Sequence, residues 1–192
     1  MTGAARVEGG LDDLARAAQA AKALSPQVAA IARRYADVLR AGGTLFFCGN
    51  GGSAADAQHL AAEYVVRYSA DRRPLSAVAL TTDTSVLTAA GNDLGFDQVF
   101  ARQVEALCRP ADLLVLHSTS GRSANLIAAA RAARSRGVPT VAFLGQAGGP
   151  LAGEVDEHVR APSGETGRIQ ILHLALQHLI VELVEQELAG HP

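Results

Sequence analysis

His59 and Glu63 stand four positions apart in the stretch SAADAQHLAAEY. On a helix that spacing places both side chains on one face, close enough to share a ligand. A later stretch, RIQILHLALQH, carries Gln170, His173, Gln177 and His178. Gln170 and His178 are eight positions apart, about two helical turns, so they face a similar direction. Two imidazoles, a carboxylate and an amide oxygen suit zinc or a similar divalent ion. The same groups suit proton transfer, with a glutamate as general base and a histidine as general acid. A plainer account competes with this one. An i, i+4 His/Glu pair is often only a surface hydrogen bond, and a histidine among leucines more often sits in a core or interface than on a metal.

Two polar turns add a second kind of chemistry. Cys48-Gly49-Asn50-Gly51-Gly52-Ser53 follows an apolar run and opens an amphipathic one. Glycines allow close backbone approach, and the free N–H groups at a helix start attract an anion. Ser118-Thr119-Ser120-Gly121-Arg122-Ser123 has the same setting. Its hydroxyls and backbone N–H groups would cradle a phosphate monoester. Either turn alone also reads as a tight turn with a helix N-cap. Neither is followed by Gly-Lys-Ser/Thr, and neither completes G-x-G-x-x-G, which favours a small phosphorylated metabolite over ATP or NAD.

The elements that must position these residues are legible from periodicity. Leu11, Leu14, Ala15, Ala18 and Ala21 follow helical steps, as do Val28, Ile31, Ala32, Tyr35, Val38 and Leu39. Pro26 starts the second helix, and Gly42-Gly43 ends it. Short apolar strands are predicted at 44–47, 77–80, 112–117, 140–144 and 155–159. Helices are predicted at 53–68, 83–90, 97–107, 123–136 and 166–188. Alternating strands and helices imply a five-stranded parallel sheet covered on both faces, with its ligand at the carboxyl ends of the strands.

The chain of 192 residues is 48% hydrophobic and 19% charged, with a net charge of -2. One compact domain is expected, with a helical arm at about 10–42 and an α/β core at about 43–192. The charge balance offers no nucleic-acid footprint. No apolar stretch reaches a membrane span, and no secretory segment is visible. Cys48 and Cys108 form no disulfide framework and read as reduced, buried residues. A cytoplasmic location is the expectation. His117, His158 and His191 have less to recommend them as ligands, and His191 is expected to be solvated in the tail.

Together, CGNGGSAADAQHLAAE, AAGNDLGFDQVFARQVEAL, STSGRSAN and GRIQILH resemble the phosphoheptose isomerases. These are sugar isomerase (SIS) domain proteins acting on sedoheptulose 7-phosphate. The likeness runs from about Gln27 to Glu187. It implies a flavodoxin-like three-layer αβα sandwich with long N- and C-terminal helices. It also implies a homotetramer with active sites between subunits, and one zinc ion per subunit. The implied reaction is an aldose–ketose isomerisation through an enediol, giving D-glycero-D-manno-heptose 7-phosphate for nucleotide-activated heptose synthesis. The matching metal positions are His59, Glu63, Gln170 and His178. The matching substrate positions are Asn50, Gly51, Gly52, Ser53, Glu63, Asn92, Asp93, Ser118, Thr119, Ser120, Ser123 and Gln170. Glu63 and His178 match the catalytic pair.

The chain departs from the family pattern at three positions. Ile171 stands where many members have glutamate, Gly167 where many have aspartate, and His117 where an apolar residue is usual. His117 is expected to pack rather than to bind. Two other readings compete: a non-catalytic replication-initiator-associating protein of the same fold, and an isomerase of another sugar phosphate. The first shares SAA-x-AQH, but a scaffold has no chemical need of Glu63 and His178.

Overall fold

The computed structural model describes residues 2–189. Five parallel strands form one sheet in the order β2-β1-β3-β4-β5: β1 (Leu45–Gly49), β2 (Ala77–Ala79), β3 (Leu113–Ser118), β4 (Thr140–Leu144) and β5 (Glu157–Arg160). This is a doubly wound, flavodoxin-like order, whose direction reverses between β1 and β3. Every residue of β1, β3 and β4 is buried, as expected of strands covered on both faces.

The period of two sends alternate strand residues to opposite layers. Leu45, Phe47, Leu113, Val115, Val141 and Phe143 face α2 (Ser25–Arg40), α3 (Gly52–Val65) and α7 (Thr166–Leu188). Phe46, Cys48, Leu114, Leu116, Ala142 and Leu144 face α4 (Thr84–Asp93), α5 (Ala101–Leu107) and α6 (Ala124–Ser135). The three-layer αβα sandwich follows. The first helix, α1 (Gly3–Ala21), lays Ala17 and Ala21 on Ile169 and Leu172 of α7. Two carboxylates, Asp112 buried and Asp156 exposed, fix where strands begin. Asp112 accepts from the N–H of Thr44 at 2.8 Å and of Arg109 at 2.7 Å, and Asp156 accepts from the N–H and the hydroxyl of Thr140, each at 2.8 Å. Cys48 and Cys108 are free and buried.

Several boundaries differ from the periodic reading. α1 begins at Gly3 because the Thr2 hydroxyl caps it, accepting from the Ala5 N–H. α4 runs on to Asp93 after an Asp83 cap. The stretch 97–107 divides into a 3-10 turn (Phe96–Gln98) and α5. β5 begins at Glu157 rather than at 155. α3 stops at Val65, short of Tyr68, because the N–H groups of Tyr68, Ser69 and Ala70 donate to the Glu185 carboxylate instead of continuing the helix. His191 lies outside the described residues. Among the described residues, no helix is long and apolar enough to cross a membrane.

Candidate active site

The two polar turns leave the carboxyl ends of β1 and β3, on either side of the point where the strand order reverses. A pocket of about 270 Å³ lies between them, lined by Asn50, Gly51, Gly52 and Ser53 from the first turn. Ser118, Thr119, Ser120 and Ser123 line it from the second, and Thr166 and Gln170 from the start of α7. The N-termini of α3, α6 and α7 therefore converge on one space, where unsatisfied N–H groups and helix dipoles favour an anion. No lysine or arginine lines it, so hydroxyls and backbone N–H groups carry the attraction.

Local bonds hold these turns in shape. The Asn50 and Asn125 amides exchange hydrogen bonds of 2.9 and 2.8 Å, tying one turn to the other. The Ser118 hydroxyl accepts from the Gly121 N–H at 3.0 Å, and the Ser120 hydroxyl from the Arg122 N–H at 3.2 Å. Ser123 makes no side-chain bond as cap of α6, which leaves its hydroxyl to a ligand. Gly121 has φ +64°, and a Cβ there would strike the Gly148 carbonyl. At Gly52 a Cβ would lie 2.6 Å from the Gln170 amide nitrogen, so the bare backbone makes room for that side chain.

Two turns further along α3 and α7, His59, Glu63 and His178 meet. Their ligand atoms all lie within 4.8 Å of one another. His59 Nε2 is 2.9 Å from His178 Nε2 and 3.2 Å from Glu63 Oε1. Donors around one tetrahedral ion at 2.0–2.1 Å are spaced by about 3.3 Å, so this donor set fits a zinc-type ion. Burial lowers the pKa of His178, its neighbour His59 lowers it further, and Glu63 opposes both. A neutral imidazole is the form that ligates a metal. The Tyr68 ring stacks on His178 at 5.3 Å.

The structure separates some residues that the motifs grouped. Gln170 lies against Gly52 in the pocket, and a rise of about 1.5 Å per residue puts it about 12 Å along α7 from His178. It therefore does not join His59, Glu63 and His178 around one ion within a single chain. Asn92 and Asp93 are exposed at the end of α4, bonded to each other at 2.7 Å, and are not among the residues lining the pocket.

The other histidines sort by environment. His173 and His117 are fully buried, and burial holds their pKa values down at about 4 and about 3. His117 stacks between Phe47 and Phe143 and bonds Gln177 at 3.0 Å, so it packs, while also forming part of the pocket wall. Sequence reasoning singled out neither Asn125 nor Tyr68. Asn125 stood inside the quoted run STSGRSAN, and Tyr68 at the expected end of a helix.

Comparison with known proteins agrees with this architecture. The SIS domain family model matches residues 12–145. The phosphoheptose isomerase of Roseiflexus sp. is 54% identical over 164 residues, covering 85% of this chain and 83% of that protein. The solved phosphoheptose isomerase of Neisseria gonorrhoeae is 42% identical and superposes with a TM-score of 0.91, covering 96% of this chain and 100% of that one. That of Francisella tularensis is 34% identical with a TM-score of 0.93, covering 97% and 100%.

The chain belongs to the SIS-domain phosphoheptose isomerases.

As a phosphoheptose isomerase the protein is an enzyme, and the non-catalytic reading is not favoured. The arrangement suits an isomerase of a phosphorylated sugar. One end of the α3–α7 seam offers a polar pocket suited to an anion, and the other a cluster of two imidazoles and a carboxylate.

Proposed function

We propose that the protein converts sedoheptulose 7-phosphate to D-glycero-D-manno-heptose 7-phosphate through a cis-enediol. The observation that carries this reading is the pairing of a phosphate-type pocket with the His59–Glu63–His178 cluster along one helix seam. Ser118, Thr119, Ser120 and Ser123, with the N–H groups of Gly51, Gly52 and Ser53, hold the phosphate and so fix the sugar's direction. Asn50, through its amide, shapes that cradle and faces the sugar.

Glu63 takes a proton from C1 of the ketose, exchanges it with solvent, and delivers a proton to C2. His178 protonates and deprotonates the neighbouring oxygens in step. His59, Glu63 and His178 would hold zinc, which when bound would supply Lewis-acid stabilisation of developing negative charge. Gly167 leaves no acidic side chain at that position on α7, so Glu63 and solvent share the proton traffic.

The reading includes a homotetramer with active sites between subunits and one zinc per subunit. Its support is the separation described above. Gln170 is too far along α7 to reach the ion held by His178 of its own chain, whereas a neighbouring copy can supply it. Asn92 and Asp93, exposed on α4, are available to a neighbour's substrate in the same way. The whole chain works as one unit, the arm at about 10–42 packed on the core at about 43–192, in the cytoplasm as a biosynthetic enzyme.

The test is direct. Purified protein is mixed with sedoheptulose 7-phosphate and the aldose is followed by NMR, with and without added zinc. Formation of the heptose 7-phosphate is the expected result. Turnover of shorter sugar phosphates in its place would refute the substrate assignment.

A further inference from the structure

We propose that Glu185 and Arg72 are positioning residues for the reaction: their buried pair holds the last turn of α3, which carries Glu63, and seats the Tyr68 ring on His178. The inference rests on the functional reading above and adds to it a part that neither the motifs nor the metal-type cluster contains.

Glu185 sits on α7 seven positions beyond His178 and is only 4% exposed. Its carboxylate is fully engaged. Oε1 accepts from the Tyr68 N–H at 3.0 Å and Arg72 Nε at 2.9 Å. Oε2 accepts from the Ser69 N–H at 3.1 Å, the Ser69 hydroxyl at 3.0 Å and the Ala70 N–H at 3.0 Å.

Arg72 turns its other nitrogens onto the end of α3. Nη2 donates to the Glu63 carbonyl at 2.7 Å, and Nη1 to the Tyr64 carbonyl at 2.9 Å. These are carbonyls that a helix C-terminus leaves without intrahelical partners, and a cation there also complements the helix dipole. The guanidinium thus caps the very turn whose side chain is Glu63.

The consequences reach both halves of the cluster. The His59–Glu63 contact of 3.2 Å spans this last turn, so fraying of α3 carries Glu63 away from both histidines. Tyr68, whose N–H is fixed by Glu185, stacks on His178 at 5.3 Å with an interplanar angle of 27°. A buried ion pair is weak evidence for stability, because desolvation offsets the attraction. Here it contributes direction: one pair references a residue of α3 and a residue of α7 to the same loop. Partners that orient metal-ligating side chains in this way typically matter 10- to 100-fold for metal affinity.

The experiment uses the full chain with Arg72→Gln, Glu185→Gln and the conservative Arg72→Lys. Val104→Ala, a buried α5 residue on the opposite face of the sheet, supplies a destabilised control. Three readouts are taken. The first is the His178 ring-proton resonance in metal-free protein, shifted by the Tyr68 ring current and calibrated with Tyr68→Leu. The second is zinc affinity in competition with a chelator, with zinc alone. The third is kcat and KM for the sugar phosphate.

Arg72→Gln is expected to move the His178 resonance toward its Tyr68→Leu position. It should weaken zinc about 10- to 100-fold and lower kcat by a similar factor. KM should stay within about twofold, since the phosphate cradle is untouched, and Arg72→Lys should recover part of each loss. Wild-type resonance and zinc affinity in Arg72→Gln would overturn the proposal. So would equal losses in Val104→Ala at a matched Tm. A wild-type protein that neither binds zinc nor turns over substrate would instead refute the functional reading, while the ring-current measurement, which needs neither, still decides the positioning role.

Discussion

Acid should weaken this protein well before it protonates the carboxylates, through His117 and His173. Both are buried, with pKa values of about 3 and about 4, against an ordinary value of 6.5. For His117 the causes are burial, then the neighbouring His173, opposed by a bond to the Cys48 backbone; for His173 burial is opposed by a bond to the Leu144 carbonyl. Their folded pKa values lie below the unfolded one, so below pH 6.5 the unfolded chain binds more protons. Stability is present above pH 6.5 and is lost as pH falls toward the folded values. At pH 5 each histidine is about 1.5 units below 6.5, which is about 2 kcal/mol apiece and about 4 kcal/mol for the pair. That is a large part of the 5–15 kcal/mol that typically holds a domain together. Glu185, held at about 2, loses its contribution only below the ordinary carboxylate value of 4.5, so pH 5 to 6.5 reports on histidines, with His158 and His178, whose pKa values burial also lowers, adding to the pair. The assay is urea unfolding at pH 7 and pH 5 at one protein concentration, for wild type and His117→Leu. The variant should lose about 2 kcal/mol of the pH dependence. Equal stability at both pH values in wild type, or an unchanged pH dependence in His117→Leu, would refute the reasoning.

Other outcomes follow from the same geometry. Glu63→Gln keeps the volume and removes the base, so kcat should fall about 10²- to 10⁴-fold while the circular dichroism spectrum is retained; near-normal turnover would remove Glu63 from its role. His178→Ala should lose zinc and activity together, checked by elemental analysis beside a rate assay. Ser120→Ala deletes a hydroxyl from the phosphate cradle and should raise KM about 10-fold at nearly constant kcat, measured in steady-state kinetics. Gly52→Ala puts a methyl group where the Gln170 amide lies, and should raise KM as that side chain is displaced.

Much of this was legible in the sequence for simple reasons. The strands are short, apolar runs between glycine-rich or polar turns, and the buried patterns of β1, β3 and β4 repeat that reading residue by residue. The i, i+4 spacing of His59 and Glu63 correctly placed them together. Spacing failed where axial rise matters. Gln170 and His178 do share a face of α7, but two turns of helix keep them about 12 Å apart. It also failed where a long-range bond decides. The end of α3 is set by a carboxylate more than 110 positions away, which no local pattern announces. His173 and His178 look alike within ILHLALQH. His173 falls on the buried stripe with Leu176 and Gln177, whereas His178, one position further around, lies beside His59 and Tyr68.

The central claim is enediol chemistry at the α3–α7 seam, with Glu63 moving the proton. The most direct measurement is the isomerisation of sedoheptulose 7-phosphate in D₂O by wild type and Glu63→Gln, read as deuterium at C2 of the aldose. The account predicts aldose carrying deuterium with wild type, and product and exchange both slowed about 10²- to 10⁴-fold with Glu63→Gln. Aldose formed with hydrogen from C1 fully retained at C2, or exchange at the wild-type rate in Glu63→Gln, would contradict it.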